Sequence, residues 1–258
     1  MYTEQQIAEM ESRYPELIEG LERLLMSCVA TGNDLPDDSR ARDYLLHGGG
    51  RRINLIRRSL SRIFELFPLR LKRPLPSQIL MDVQINLQAY VMNMYGLFDN
   101  WAWAFVIFHK LEQQVGGKFG VGFQREKTQK FLPVELRDYV LNERYKQWHN
   151  QYLKNYRDAL AHRVPLYIPP ARFTNEESKR YCDLESEKIA CTLAHDFDRA
   201  DRAKAEQLKL GKPVPVFLHS FNEGGPPKPI LLHPQLLSDA AGVIELGDIF
   251  FANWKKRD

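Results

Sequence analysis

Little in this chain points to secretion, metal binding or membrane insertion. Its three cysteines, Cys28, Cys182 and Cys191, are too few and too scattered for a disulfide framework or a zinc site. They read as small buried hydrophobes in a reducing compartment. The most apolar stretch, Trp101 to Phe108, falls far short of the roughly 20 residues that a membrane helix needs. The opening residues, Met1-Tyr2-Thr3-Glu4-Gln5-Gln6, have neither a basic start nor an apolar run, so no secretory leader is expected. The chain therefore reads as soluble and cytoplasmic. Its 36 basic and 33 acidic residues leave a formal charge of +3, too balanced to imply nucleic acid unless a local face concentrates the cations. No internal repeat or low-complexity tract is present, and no motif calls for a metal or a cofactor.

What the sequence does have is helical periodicity. Thr3 to Cys28 predicts one helix, interrupted near Pro15. Gly32 to Asp38 predicts a loop, and a short segment then runs into His47-Gly48-Gly49-Gly50. From Arg51 to Phe67 the residues Ile53, Ile56, Leu60, Ile63, Phe64 and Phe67 form one apolar stripe, closed by Pro68. Ser77 caps the next predicted helix, whose apolar residues from Ile79 through Phe105 recur at three- and four-residue spacing to about Gln114. Gly116 to Gly122 is a glycine-rich break without the spacing of a P-loop. Pro133 opens a helix to about Arg163, and three prolines force Val164 to Pro170 to be extended. Thr174-Asn175-Glu176-Glu177 is a capping-box start for a helix ending near Gly211. Val214 to Phe221 and Pro229 to Leu232 flank a turn and predict a hairpin, and a last helix runs from Pro234 to about Trp254. The expectation is a mainly α protein. Residues 1–211 form a helical domain, and residues 212–258 add a small β-hairpin and a C-terminal helix packed on the same domain.

Chemistry concentrates at Tyr156-Arg157-Asp158-Ala159-Leu160-Ala161-His162-Arg163. Arginine is a permanent phosphate-binding cation, and histidine exchanges its proton near neutral pH. The spacing alone says little, because Arg42/His47 and Arg144/His149 repeat it. A five-residue offset also turns two side chains about 140° apart on a straight helix. The third copy differs in lying at a helix end before proline. It also has Asp158 one turn before His162, where a carboxylate can orient an imidazole. The bland reading is that Asp158, His162 and Arg163 brace a helix C-terminus.

This segment resembles the signature of the HEPN superfamily, an arginine followed by a polar residue and, after four to six positions, a histidine. The helix carrying Asn93 to Trp103 before it adds to the likeness, which spans roughly residues 77–170. The resemblance implies a HEPN-like helical bundle, usually a homodimer with facing motifs. Many members are metal-independent endoribonucleases of toxin–antitoxin and phage-defence systems, with RNA and a protein antitoxin as partners. Carried over, Arg157 binds the scissile phosphate, His162 is the general base or acid, and Asp158 orients that centre. Asp99, Asn100 and Arg163 stand as supporting residues, with Arg157 or His162 as the expected partner of Asp99. A non-catalytic interaction or nucleic-acid-binding module is the alternative from another class.

Three further clusters carry less. Arg51, Arg58 and Arg62 line the polar face of their helix and could track an RNA backbone, although a solvated face paired with acids is the simpler reading. His47-Gly48-Gly49-Gly50 has no accompanying G-x-S-x-G elbow, which excludes an esterase and leaves an anion-cradling role. His195-Asp196, with Asp198 and Asp201, is similar to the doublet of metal phosphohydrolases but lacks the further histidines such a site needs.

Overall fold

The computed structural model describes residues 2–220 and 225–258. It is mainly α with a small antiparallel hairpin near the C-terminus, as the periodicity predicts. Helix α1 (Glu4–Asn33) opens on a capping box between Thr3 and Gln6 and runs through Pro15 without interruption. The expected break is absent because proline's missing donor leaves only the Glu11 carbonyl unpaired, and Glu11 is exposed, so water can serve it. After a short turn, α2 (Arg40–Asp43) passes into a π-helical stretch, Tyr44–Gly50, and then into α3 (Arg51–Leu66). The three glycines therefore lie within a continuous helical path, with Gly49 and Gly50 buried, and do not form the free loop before a helix start that an anion cradle needs. Their smallness serves packing: a Cβ on Gly49 would lie 3.0 Å from Cys28 Sγ and 3.1 Å from Trp101 Nε1.

Helix α4 (Ser77–Phe108) is the spine. Pro76, not Ser77, holds its N-cap position, and the helix ends before the predicted Gln114. Val83, Leu87, Tyr90, Met94, Leu97, Trp101 and Phe105 are buried along it, and Ile53, Ile56, Leu60 and Ile63 of α3 meet them. Fully burying one such Leu or Ile contributes roughly 1.5–3 kcal/mol. The last helix, α11 (Leu232–Ala252), packs on α1 and stacks Phe250 on Trp101 at 5.5 Å. The Tyr90 hydroxyl donates to the Leu236 carbonyl at 2.7 Å, tying α4 to α11.

Beyond α4, α5 (Glu126–Gln129) and α6 (Val134–Leu141) precede a break at Asn142, whose extended ψ of 137° splits the single helix expected from Pro133. Then α7 (Glu143–Gln147), a second π-helical stretch (Trp148–Leu153) and α8 (Lys154–His162) run on continuously. Val164 to Pro170 is extended as predicted and bridges Tyr167 to Leu218. The helix expected to reach Gly211 is instead a pair, α9 (Asn175–Leu193) and α10 (Phe197–Gln207), folded on each other. His195 turns the chain at φ 60°, and the Asp196 carboxylate accepts the Arg199 N–H to cap α10. The doublet is thus a turn and a cap.

Strands β1 (Val216–His219) and β2 (Lys228–Leu231) pair antiparallel, with Val216 opposite Leu231. Phe221 and the first turn residues, 222–224, lie outside the described residues. Cys28 and Cys191 are buried as expected, but Cys182 is exposed. Among the described residues no helix is long and apolar enough to cross a membrane.

Candidate functional site

Helix α8 presents two faces. Tyr156 and Ala159 turn inward, Tyr156 edge-on to Phe217 at 5.4 Å. Lys154, Asp158 and His162, at four-residue steps, line up on the outer face beside Arg157. The residue before Pro165 cannot stay helical, so the helix closes at His162 and Arg163 leaves it extended. Arg163 folds back and donates to the Asn155 carbonyl at 2.9 Å and to the Asn155 side chain.

Arg157, Asp158, His162, Arg163, Lys154 and Asn150 line one open concavity of about 630 Å³. The arginine–histidine pair predicted from the sequence therefore shares a surface in spite of its angular offset. Asp158 does not serve His162, however. Its carboxylate pairs with Arg157 at 3.0 Å and Lys154 at 3.8 Å, and no ion pair joins it to the histidine. Two adjacent cations outcompete the exposed imidazole for the one carboxylate. Arg157 is held from both sides, because its guanidinium carbon also sits 4.1 Å from the centre of the Tyr95 ring.

Behind this concavity lies a second cavity of about 480 Å³, which shares Asn150, Lys154 and Arg157 with it. Tyr95, Asp99 and Trp103, one turn apart on α4, form one wall, and His149 and Tyr145 form another. The third wall is the glycine-rich segment with the residues that follow it, and it includes Lys118, Gln124 and Arg125. That segment folds tightly, with Gly116 and Gly117 at φ 79° and 68° and Thr128 donating to the Gly120 carbonyl at 2.6 Å. The sequence marks Gly116 to Gly122 only as a glycine-rich break. Its place was invisible because only the tertiary fold brings residues 118–125 against α4 and α8.

Asp99 is drawn into this cavity. The protein crowding around it raises its pKa above the ordinary carboxylate value, against the opposing charges of Arg157, Arg52 and Arg125. Arg157 is thus the expected electrostatic partner, but at a separation too long for an ion pair. Asn100 belongs elsewhere. It accepts from Arg52 Nε at 2.8 Å, while Arg52 also reaches Asn93 at 3.2 Å, fastening α3 to α4. Asn100 and Arg157 are directed to different neighbours.

His149 is 5% exposed, shares its Nδ1 with Asn150 at 3.0 Å, and is held below the usual imidazole range by burial, with Lys154 and Arg157 adding to the effect. Three polar atoms of this cavity's lining residues are buried with no hydrogen-bond partner among the described residues: Gln124 Nε2, the Tyr145 hydroxyl and Arg157 Nε. The Gln124 amide faces the Tyr145 hydroxyl closely enough to lower its pKa as a hydrogen-bond donor would, against the stronger effect of burial, yet the two atoms stay outside full hydrogen-bond geometry.

The arginines of α3 do not join the site. Arg58 and Arg62 both pair with Glu65, at 3.6 and 2.6 Å, and Arg51 contacts His47. None of the three lines either cavity, and for Arg58 and Arg62 the face is the acid-paired one that is the simpler reading of the sequence. Among the described residues no cluster of three or more metal-ligating side chains occurs. Compared with protein-family models, with curated proteins and with solved structures, the chain matches none of them.

Proposed function

We propose that the outer concavity of α8 binds the RNA backbone and cleaves it by metal-independent transesterification. The observation that carries this is the meeting of Arg157 and exposed His162 on one open surface flanked by Lys154 and Arg163. In this reading His162 takes the proton of a ribose 2′-hydroxyl, and its oxygen attacks the adjacent phosphorus. Arg157 faces the negative charge that builds on the non-bridging oxygens. The 5′-oxygen leaves and takes a proton from water, to which the His162 imidazolium returns its own, giving a 2′,3′-cyclic phosphate and a 5′-hydroxyl. Asp158 acts through Arg157, fixing its guanidinium, and so is a positioning residue. The HEPN resemblance adds a second copy of the chain facing the first, and a protein antitoxin as a further partner.

Incubating RNA with the wild-type, Arg157→Ala and His162→Ala proteins in chelator tests the mechanism. The wild type leaves cyclic-phosphate ends, and each variant is slower by roughly a hundredfold or more. Equal rates in all three exclude this chemistry, and loss of all wild-type cleavage in chelator favours a metal. A second reading, binding without cleavage, is favoured by the clamping of Arg157 between Asp158 and Tyr95. It predicts RNA affinity that falls on Arg157→Ala and is unchanged by His162→Ala.

A further inference from the structure

We propose that the inner cavity is a base pocket, which receives one unstacked nucleobase of the RNA strand whose phosphate lies on the outer concavity. The inference rests on the RNA reading for its ligand and adds to it the residues that choose the nucleotide. Its first support is continuity. Arg157, Lys154 and Asn150 border both spaces, so a phosphate on the outer side of Arg157 leaves its neighbouring base within reach of the inner one.

Size and walls give the second support. About 480 Å³ is within the range of small-ligand pockets, roughly 300–1,000 Å³. Tyr95, Phe98 and Trp103 of α4 give it aromatic surface against which a planar ring can stack. Lys118 and Arg125 stand with Lys154 and Arg157 against the single carboxylate of Asp99, so the cavity favours an anionic strand.

Third are the unpartnered polar atoms. The Tyr145 side chain belongs to a residue only 4% exposed, and its hydroxyl has no hydrogen-bond partner among the described residues. Gln124 Nε2 and Arg157 Nε are also unmatched donors. Buried donors left unsatisfied are costly, and three around one cavity fit an acceptor-rich ligand edge. Nucleobases offer such edges through ring nitrogens and carbonyl oxygens. A free nucleotide has the same chemistry, but the open groove leading from the cavity past Arg157 fits a continuing chain.

The test measures binding to the His162→Ala protein, in which cleavage does not interfere. The probe is a labelled single-stranded RNA hexamer of random sequence, with an abasic hexamer of equal length as its control. The expected result is at least tenfold weaker binding of the abasic strand, since stacking of one base is worth roughly 1–3 kcal/mol. Adding Tyr145→Phe or Gln124→Leu weakens the intact hexamer about tenfold and leaves the abasic one unchanged. Tyr145→Phe removes only an unpartnered hydroxyl, so its melting temperature stays at or above that of the parent. Equal affinity for both strands, or indifference to both substitutions, overturns the base pocket while RNA binding stands. No binding of either hexamer overturns the RNA reading itself. A nucleoside monophosphate that binds more tightly than the hexamer overturns the assignment to a strand.

Discussion

Asp239 shows how one buried group sets a pH dependence. It is 2% exposed on α11 and accepts from Trp148 Nε1 at 2.7 Å and Gln235 Nε2 at 2.8 Å. Burial still outweighs these bonds and pushes its pKa up to about 7 from 3.8. Between those values the folded state holds a proton that the unfolded state has lost, so stability from this group is present below about pH 4 and lost as pH rises through 7. Asp239→Asn cannot ionise and is expected to be more stable than the wild type at pH 8 by roughly 2–4 kcal/mol, the gap closing by pH 4. His233 has the opposite sign. Burial lowers its pKa to about 4 from 6.5 against the opposing hydrogen bond to the Phe67 carbonyl, so its contribution is lost as pH falls from 6.5 through 4. In wild type the two oppose one another across that window. Urea unfolding of Asp239→Asn should therefore lose stability from pH 6.5 to 4 more steeply than the parent, and parallel curves would contradict the assignment.

At the scale of elements, the two π-helical stretches carry much of the architecture. The first lets Gly48 and Gly49 press against α4 and α1, where a Cβ would come within 2.8 Å of Asn100 and 3.0 Å of Cys28 Sγ. Gly50 has only ordinary contacts, the nearest at 3.6 Å, and right-handed helical angles. Three adjacent glycines thus predict three outcomes in thermal melts. Gly49→Ala should lose about 1–3 kcal/mol by overpacking, Gly48→Ala should lose less because the Asn100 side chain can shift, and Gly50→Ala should be neutral or gain up to about 1 kcal/mol. Periodicity made α3 and α4 legible and the capping box at Thr174 marked the start of α9, since stripes and caps are local. It missed the breaks at Asn142 and His195, because neither residue forbids a helix and tertiary contacts decide where the chain turns. Pro15 misled for the converse reason: a proline on a solvated face is tolerated once the rest of its helix is packed.

Across the whole molecule, cohesion is uneven. The body gathers α1, α3, α4 and α11 around Trp101 and Phe250, whereas α9 and α10 pack mainly on each other. That pair leaves Ile189, Leu193 and Phe197 exposed, and the Arg172–Lys212 bridge joins the segment before α9 to the one after α10. An apolar groove of about 760 Å³ separates it from the start of α4. Few shared buried contacts mean a low free energy of opening. Amide hydrogen exchange should therefore be faster throughout α9 and α10 than in the central turns of α4 and α11, with the pair exchanging as one unit. Equal protection would show that the groove is bridged more firmly than its contacts indicate.

The sequence by itself determined the helical class, the spine of α4, the hairpin and the place of Arg157 and His162 at a helix end before proline. These follow from spacing and from the backbone limits of proline and capping residues, which act over a few positions. Tertiary structure alone decided that Asp158 turns to Arg157 and Lys154, that Asn100 serves Arg52, and that Arg58 and Arg62 meet at Glu65. It also brought Lys118, Gln124 and Arg125 against Tyr95 and Tyr145, residues at least twenty apart in the chain on both sides. Charge pairing and cavity lining depend on distance through space. No local pattern encodes which of several cations a carboxylate will meet.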